Sequence, residues 1–268
     1  MIPAAFEYAT ATTVDEAVGH LHHYGEDAKL LAGGQSLVPL MRLRLAQPSA
    51  LVDISRMQGV GSIKRDDGHI TVGAGVRHAD IERDSTVRDG LPLLAEVAHE
   101  VGDAQVRNLG TMGGVIAHGD AAGDYCTLAL MLDAEIITSK RTHPASAFFR
   151  DVFTTALDPD EVVTGVRFPV ARGPHAYIKF RRRLYDWAIA GVMVQDTGSE
   201  WRVGYVNLGS TPLRGGGVEQ ALADGATPTE AATHAVEGLE PRDDVRATAE
   251  YKRHLATVLT RRALETAT

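Results

Sequence analysis

Apolar positions near the start of the chain recur at helical spacing and then give way to a continuous run. A capping-box pattern at residues 13–16 (Thr-Val-Asp-Glu) predicts the start of a helix, and Gly25 predicts its end. The mostly apolar residues 28–32 then predict a buried strand. The helix would pack on this strand through one apolar face, formed by Val14, Ala17, Val18, Leu21 and Tyr24.

The middle of the chain alternates between strand-like and helix-like patterns. A short strand at residues 51–54 is expected to close a small first subdomain. A turn sequence at residues 66–68 (Asp-Asp-Gly) separates two alternating segments and predicts a β-hairpin. The remaining predictions are hairpin strands at 59–64 and 69–76, helices at 78–87, 91–101 and 128–132, and strands at 135–138 and 161–168.

The last third of the chain has a different pattern, after a proline- and glycine-containing boundary at residues 169–174. Three consecutive strands are predicted at 175–183, 187–196 and 200–210. Helices follow, one of them marked by a cap, a proline and a capping-box glutamate at residues 227–230. A three-stranded antiparallel sheet followed by helices is typical of an α+β fold.

Two glycine-bearing segments, about eighty residues apart, are the candidate ligand loops. The first, residues 30–37, joins the predicted strand to a short apolar helix, and the second covers residues 110–115. Glycines permit positive φ and remove the Cβ that keeps a ligand away, so both segments could bring backbone N–H groups to a phosphate. Ordinary tight turns are the alternative. Neither segment has the glycine spacing of a P-loop or of a dinucleotide-binding Rossmann fold, so the sequence does not support either of these folds.

Charge and cysteine content exclude several classes of protein. A net charge of −8 over 268 residues argues against a nucleic-acid surface, which needs a basic face. Cys126 is the single cysteine, and an iron–sulfur cluster needs about four such ligands, so this chain cannot hold a cluster alone. No apolar run approaches the roughly 20 residues of a membrane span, and the first residues lack a signal-peptide pattern, so a cytoplasmic location is expected.

Residues for direct catalysis are scattered along the chain. Candidates such as His99, His118 and Asp151 do not form a nucleophile–base motif, and neither a zinc-protease nor a serine-hydrolase signature is present. This pattern favours a protein whose chemistry belongs to a cofactor.

The two loops and their flanking residues carry a family resemblance. Residues 32–36 (Ala-Gly-Gly-Gln-Ser) and 107–114 (Arg-Asn-Leu-Gly-Thr-Met-Gly-Gly), with Asp124 beyond them, resemble the FAD-binding medium subunits of molybdenum hydroxylases. The flavoprotein of aerobic CO dehydrogenase has the most similar pattern, and the FAD domain of xanthine dehydrogenase is more distant. The resemblance runs over nearly the whole chain.

The resemblance implies a fold and three domains. The expected fold is α+β, with a two-subdomain FAD-binding unit of the vanillyl-alcohol-oxidase-like (PCMH) type, then a C-terminal three-stranded antiparallel sheet with a helix bundle. The implied boundaries are residues 1–55 and 56–172 for the two FAD-binding subdomains and 173–268 for the C-terminal domain.

The resemblance also implies which residues bind FAD. The diphosphate would contact the first loop on one side and the second loop on the other. Those residues are Leu31, Ala32, Gly33, Gly34, Gln35, Ser36 and Leu37, then Thr111, Met112, Gly113, Gly114 and Val115.

Five more positions match family residues near the cofactor. Asp124 would hydrogen-bond FAD away from the diphosphate, and a solvated turn aspartate is the alternative. Lys179 would place a positive charge near the flavin, and a surface lysine is the alternative. Trp187 would stack on the flavin, and an ordinary buried tryptophan is the alternative. Val101 and Val163 match apolar positions that line the cofactor in xanthine dehydrogenase relatives.

Three residues depart from the family pattern. Gln35 replaces a histidine, Val115 replaces an asparagine found in many relatives, and Ala121 replaces a usual proline. Val115 loses a side-chain hydrogen bond but keeps its backbone, so altered flavin affinity or potential is expected more than lost binding.

The implied function is electron transfer within a complex. A large subunit would hold the molybdenum cofactor and a small subunit two [2Fe–2S] clusters, in a dimer of heterotrimers. FAD on this chain would pass electrons to an external acceptor. No metal site on this chain, no nucleic acid and no membrane span are expected. Two alternatives stay open, a stand-alone flavin oxidase or dehydrogenase and a cofactor-free assembly protein of the same fold.

Overall fold

The structure, a computed structural model that describes residues 2–267, begins with a small parallel α/β unit. Residues 1 and 268, the outer ends of the predicted domains, lie outside this range. The elements of the unit are β1 (Glu7–Thr10), α1 (Val14–Tyr24), β2 (Ala28–Leu31), α2 (Leu37–Arg42) and β3 (Ala50–Asp53). The strands are parallel in the order β1-β3-β2. The capping box at Thr13 and Glu16 is present, and α1 buries Ala17 and Leu21 against the sheet.

The second segment is built on a five-stranded antiparallel sheet in the order β4-β5-β10-β6-β7. Its central strand β10 comes last in the sequence, so residues from 63 to 169 are needed to complete the sheet. The elements are β4 (Ile63–Asp66), β5 (His69–Gly73), α3 (His78–Arg83), α4 (Ser85–Gly90), α5 (Pro92–His99), α6 (Ala104–Leu109), α7 (Met112–His118), α8 (Asp124–Met131), β6 (Glu135–Thr138), β7 (Thr142–Pro144), β8 (Phe149–Asp151), β9 (Thr154–Thr155) and β10 (Val163–Pro169).

Two helix predictions in this segment were wrong in their limits. The predicted helix at 78–87 is two helices, because the Asp84 side chain accepts from the Val87 N–H and starts a new helix there. The helix predicted at 128–132 begins earlier, at Asp124. This earlier start puts Asp124 in the first turn of a buried helix.

The C-terminal segment is an antiparallel sheet covered by helices, as predicted. Its elements are β11 (His175–Phe180), β12 (Ala190–Asp196), β13 (Trp201–Val206), β14 (Leu213–Arg214), α9 (Gly216–Ala223), α10 (Pro228–Ala231) and α11 (Ala249–Ala267). The two-residue strand β14 adds a fourth strand to the predicted three. The predicted strands were too long around the β11–β12 connection, where Tyr185 has φ 71. They were also too long after β13, which ends at Val206, just before Asn207 with φ 59.

The hydrophobic core divides into two clusters. One cluster runs through the first and second segments, and the other joins the C-terminal sheet to α9 and α11. Each of the three larger sheets lies within one predicted domain, and the exact domain boundaries stay a prediction. None of the helices described between residues 2 and 267 has the length and apolar character needed to cross a bilayer.

Gly33, just after β2, packs directly on the backbone of the second segment. A Cβ atom added to Gly33 would overlap the carbonyl oxygen of Leu109 and lie 2.7 Å from the Cα of Gly110. Arg77 supports the same backbone, because its guanidinium donates to the carbonyl oxygens of Asn108 (3.0 Å) and Leu109 (2.9 Å). The glycine is therefore required by protein packing at the junction of the two segments.

We expect Gly33→Ala to destabilise the chain by about 1–3 kcal/mol, because the added methyl group must push two backbones apart. Gly19→Ala is the matched control, since Gly19 lies inside α1 with no atom within 4 Å of the added Cβ. That substitution should stabilise the chain by about 0.5–1 kcal/mol through helix propensity. Urea unfolding followed by circular dichroism measures both. Equal stability of the two variants would contradict the packing role of Gly33.

Candidate functional site

A large cleft lies between the first loop, the second loop and the β11–β12 connection. Its volume is about 700 Å³, which is in the upper part of the range of roughly 300–1,000 Å³ typical of small-molecule sites. Every residue predicted to contact the cofactor lines this cleft, except Met112. The structure therefore brings together positions that are up to 156 residues apart in the sequence, from Leu31 to Trp187.

The first loop offers free backbone donors. The backbone N–H groups of Gly33, Gly34, Gln35 and Ser36 have no acceptor among residues 2–267, and all four residues line the cleft. Gly34 has φ 69, a conformation that favours glycine. The Gln35 side-chain amide donates to the carbonyl oxygen of Gly33 at 2.9 Å and holds the loop in shape. This loop can bind an anion through several N–H groups.

The second loop differs, because within residues 110–115 every backbone N–H except that of Thr111 already has an acceptor. Met112 donates to the carbonyl oxygen of Val76, Gly113 donates to that of Ala74, and Gly114 donates to the Thr111 hydroxyl oxygen at 3.2 Å. The expectation of free backbone donors at Gly113 and Gly114 was therefore wrong, whereas the Thr111 N–H has no acceptor among residues 2–267.

Two features of the second loop still face a ligand. The Thr111 hydroxyl accepts from Gly114 and keeps its own proton to donate. A Cβ on Gly114 would meet only the Thr111 hydroxyl oxygen, at 3.0 Å, and otherwise open space. Val115 lines the cleft, whereas the Met112 side chain is wholly buried in the core behind it.

Asp124 and Lys179 form a buried ion pair at the wall of the cleft. Asp124 Oδ2 lies 2.7 Å from Lys179 Nζ, and each side chain is 5% exposed. Lys179 Nζ also donates to the carbonyl oxygen of Glu100 at 2.9 Å, and Tyr177 donates its hydroxyl proton to Asp124 Oδ1 at 2.5 Å. The alternatives of a solvated turn aspartate and a surface lysine were therefore wrong.

Burial controls the protonation of this group of side chains. Burial raises the pKa of Asp124, and the positive charge of Lys179 opposes that rise. Burial and the neighbouring Asp124 charge also raise the pKa of Tyr177 well above its ordinary value, so its hydroxyl stays protonated. A protonated hydroxyl and an ammonium group thus share one carboxylate.

The β11–β12 connection lies at the mouth of the cleft. Trp187 is 48% exposed and Tyr185 is 56% exposed, and both line the cleft. The alternative of an ordinary buried tryptophan was therefore wrong. Val101, just after α5, is partly buried at the cleft wall, and Val163 at the start of β10 is 5% exposed and belongs to the core as well.

His78 is a cleft residue that the sequence did not indicate. It is 1% exposed, lies beside Gly110, and its Nδ1 atom has no hydrogen-bond partner among the described residues. Burial, with the nearby charge of Arg107, lowers the pKa of His78 to about 4, so the ring is neutral at physiological pH. The sequence at residues 77–80 indicates only the start of a helix, so no local signal marks this histidine.

A second unpredicted feature is the fully buried carboxylate of Glu161 at the cleft rim. It accepts from Arg141 Nη2 (2.9 Å), Thr138 Oγ1 (2.6 Å) and the Asp158 N–H (3.0 Å), and His143 Nε2 lies 2.8 Å away. Burial acts to raise the pKa of Glu161, but these hydrogen bonds outweigh it and hold the pKa well below the ordinary value. The cluster fixes the chain segment that leads into β10, which begins at Val163.

Direct catalysis finds little support in the described residues. The Cys126 thiol is buried, and burial raises its pKa well above the ordinary value, so it is a poor nucleophile. No group of three or more His, Cys, Asp or Glu side chains in residues 2–267 is arranged to hold a metal ion. The site has the properties of a binding cleft with anion donors at one part and a buried cation at another.

Comparisons with known proteins agree with this geometry. Residues 4–171 match the family described as the FAD binding domain in molybdopterin dehydrogenase, and residues 175–267 match the CO dehydrogenase flavoprotein C-terminal domain. The carbon monoxide dehydrogenase medium chain of Hydrogenophaga pseudoflava is 39% identical over 282 residues, covering 100% of this chain and 98% of that protein. The 6-hydroxypseudooxynicotine dehydrogenase complex subunit alpha of Paenarthrobacter nicotinovorans is 36% identical, covering 98% and 95%.

Solved structures give the same result. Carbon monoxide dehydrogenase from Hydrogenophaga pseudoflava, in a form that lacks the Mo-pyranopterin moiety of its cofactor, matches with a TM-score of 0.94 at 39% identity, covering 100% of this chain and 98% of that one. Quinoline 2-oxidoreductase from Pseudomonas putida 86 matches with a TM-score of 0.93 at 30% identity, with the same coverage.

The Glu161 cluster predicts a pH dependence of stability. Because the folded-state pKa of Glu161 lies below its unfolded value of 4.5, its stabilising contribution is present above that pH and is lost as the pH falls. Glu161→Gln should destabilise the chain by about 1.5–3 kcal/mol at pH 7, since the hydrogen bonds from Thr138, Arg141 and the Asp158 N–H would no longer go to a charged acceptor. The variant should also lose less stability than the parent chain between pH 7 and pH 3.

Thermal unfolding at several pH values measures this effect. Glu7→Gln is the control, because Glu7 is exposed on β1. If Glu161→Gln lost as much stability between pH 7 and pH 3 as the parent chain does, the proposed contribution of the Glu161 carboxylate would be contradicted.

Proposed function

The chain belongs to the family of FAD-binding medium subunits of molybdenum hydroxylases, and from this premise we propose that it passes electrons from the iron–sulfur clusters of a partner subunit, through FAD, to an external acceptor. The observation that carries the proposal is the cleft, which combines free backbone donors near Gly33 with a buried ammonium group at Lys179. A dinucleotide with an anionic diphosphate and a redox-active ring needs both features.

The first loop would hold the diphosphate. Four N–H groups without a protein acceptor, at Gly33 to Ser36, support this assignment, and the Thr111 hydroxyl would add a donor from the second loop. Gly114 would let the cofactor approach the backbone, because no protein atom other than the Thr111 hydroxyl oxygen occupies the space in front of it. Residues Leu31, Ala32, Leu37 and Val115 would complete this part of the wall.

The flavin would lie toward Lys179, Val101 and Trp187. Apolar residues from the first segment, Leu30, Ile54 and Met57, line another part of the cleft and suit an adenine ring. FAD, when bound, supplies reversible two-electron chemistry that no side chain provides. Lys179 would place a positive charge beside the ring, and Trp187 would restrict the access of water to it.

The partners follow from the family and from what this chain lacks. The Hydrogenophaga relative is named a medium chain, and the Paenarthrobacter relative is named a subunit of a dehydrogenase complex. We propose a large subunit with the molybdenum cofactor and a small subunit with [2Fe–2S] clusters, assembled as a dimer of heterotrimers in the cytoplasm. The buried Cys126 cannot supply the roughly four thiolates of a cluster.

We expect Gly114→Leu to weaken FAD binding by about 100-fold, equal to about 2.7 kcal/mol, because the side chain would occupy the cleft. Gly216→Leu is the matched control, since Gly216 is also exposed in a first helical turn with no atom near its added Cβ. Titration of the cofactor-free chain with FAD, followed by flavin fluorescence, measures the affinity. Equal affinity of the two variants, or a parent chain that binds no FAD, would contradict the proposed site.

The electron-transfer role is tested in the assembled complex with and without flavin. The complex is reduced with dithionite and mixed with an acceptor (NAD, a quinone or oxygen), and the iron–sulfur signal is followed by electron paramagnetic resonance. Reoxidation of the clusters should be at least about 100-fold slower in a complex that carries Gly114→Leu, because without bound FAD the electrons cannot pass to the acceptor. Excess FAD should partly restore the rate. Clusters that reoxidise equally fast without flavin would overturn the proposed route.

A further inference from the structure

Tyr177 lies behind the cleft wall and contacts Asp124 of the ion pair, although Tyr177 itself does not reach the cleft. It is 7% exposed and does not line the cleft. Residues 177 and 179 of β11 point to the same face of the sheet, because side chains alternate along a strand. The Tyr177 hydroxyl and the Lys179 ammonium group therefore reach the same carboxylate, at 2.5 Å and 2.7 Å from Asp124 Oδ1 and Oδ2.

The neighbouring strand fixes the position of the tyrosine ring. Gly191 of β12 pairs with Lys179, and a Cβ on Gly191 would lie 3.1 Å from Tyr177 Cε2 and 3.2 Å from its hydroxyl oxygen. The Tyr177 backbone N–H also faces Glu96 Oε1 of α5, at 3.4 Å. The ring is thus confined between β12 and the helices, with its hydroxyl directed at Asp124.

We propose that Tyr177 is a positioning residue: it keeps Asp124 ionised and oriented toward Lys179, and in this way it sets the reduction potential of the flavin. The inference rests on the proposed function, because it requires the flavin to lie near Lys179. Each carboxylate oxygen has one donor, so loss of the Tyr177 hydroxyl would leave Asp124 Oδ1 buried without a partner. A buried carboxylate in that state takes up a proton more readily.

The charge at this part of the cleft then changes. With Asp124 ionised, the pair carries no net charge, whereas with Asp124 protonated the Lys179 charge is uncompensated. A net positive charge stabilises the electron-rich reduced flavin and raises its potential. The surrounding charged and titratable groups are Arg181 just after β11, Glu96 on α5, Glu100 just after α5, and Tyr125 and Cys126 on α8. Arg181 pairs with Glu100 at 2.7 Å, so these two charges offset each other.

The test measures the flavin midpoint potential of the FAD-loaded chain between pH 5.5 and 8.5 by spectroelectrochemistry. In Tyr177→Phe the upward step in potential that accompanies Asp124 protonation should begin at a higher pH than in the parent chain. At pH values between these two onsets, the midpoint potential of Tyr177→Phe should be higher than that of the parent chain by about 30 mV. For a two-electron couple this difference corresponds to about a tenfold shift toward reduced flavin. Tyr205→Phe is the matched control, because Tyr205 is 1% exposed in the C-terminal core, away from the cleft.

A double-mutant cycle separates positioning from a merely structural role. In Asp124→Asn the carboxylate is absent, so adding Tyr177→Phe should leave the potential unchanged. A Tyr177→Phe shift of equal size in both backgrounds would overturn the proposal, as would an unchanged potential in the single variant or an equal shift in Tyr205→Phe.

Thermal unfolding of the same proteins without cofactor tests the contact between Tyr177 and Asp124 independently of FAD binding. Non-additive effects of Tyr177→Phe and Asp124→Asn on the melting temperature are expected from their contact, whether or not FAD binds. A parent chain that takes up no FAD would refute the proposed function together with the effect on the potential. A chain that binds FAD with an unmoved potential would refute the positioning role alone.

Discussion

The cleft depends on one close contact between two backbones, made where Gly33 meets Leu109 and Gly110. Only glycine fits at position 33 without moving the two backbones apart, because any Cβ would overlap the opposing carbonyl oxygen. The contact fixes the exit of β2 against the end of α6, and α7 begins with Thr111 as its N-cap two residues after Leu109. Both loops therefore line the same cleft, which a larger residue at the junction would widen or distort.

The glycines at positions 33, 34, 113 and 114 have three different physical roles. Gly33 and Gly113 allow protein backbone or side-chain atoms to approach, Gly34 adopts a positive φ, and Gly114 faces the open cleft. Only the last role concerns a ligand directly. A glycine-rich sequence thus combines packing, conformation and ligand access, and the sequence does not separate them.

The Asp124–Lys179 pair connects the second segment to the C-terminal segment. A buried ion pair is weak evidence for stability, because desolvation of both charges offsets their attraction. Stability alone therefore does not explain the Asp124–Lys179 pair. Its place at the cleft wall agrees with a role beside a cofactor. The same boundary is held by an uncharged contact, from the Thr127 hydroxyl to the carbonyl oxygen of Tyr205 at 3.2 Å. The charged pair is thus not needed merely to join the segments.

Local signals identified elements well and their ends less well. The capping boxes at Thr13 and Thr227 are present, because each involves residues only three positions apart. Strand lengths around Tyr185 and Asn207 were overestimated, because positive φ at non-glycine residues is set by tertiary contacts. Asn207, for example, donates its side-chain amide to the carbonyl oxygen of Ala188 at 2.7 Å. Short strands such as β7 and β14 had no sequence pattern of their own.

The sequence by itself determined the order of elements, the two glycine loops and, through its family resemblance, a set of site residues that all line the cleft except Met112. Only the tertiary structure decided that the Gly113 and Gly114 N–H groups are already used, that Met112 lies behind the wall, that His78 and Glu161 line the cleft, and that Tyr177 contacts Asp124 from behind it. The reason is that hydrogen-bond partners and burial depend on residues far apart in sequence. Tyr177 and Asp124, for instance, are 53 positions apart, and no local pattern encodes which donor will meet which carboxylate.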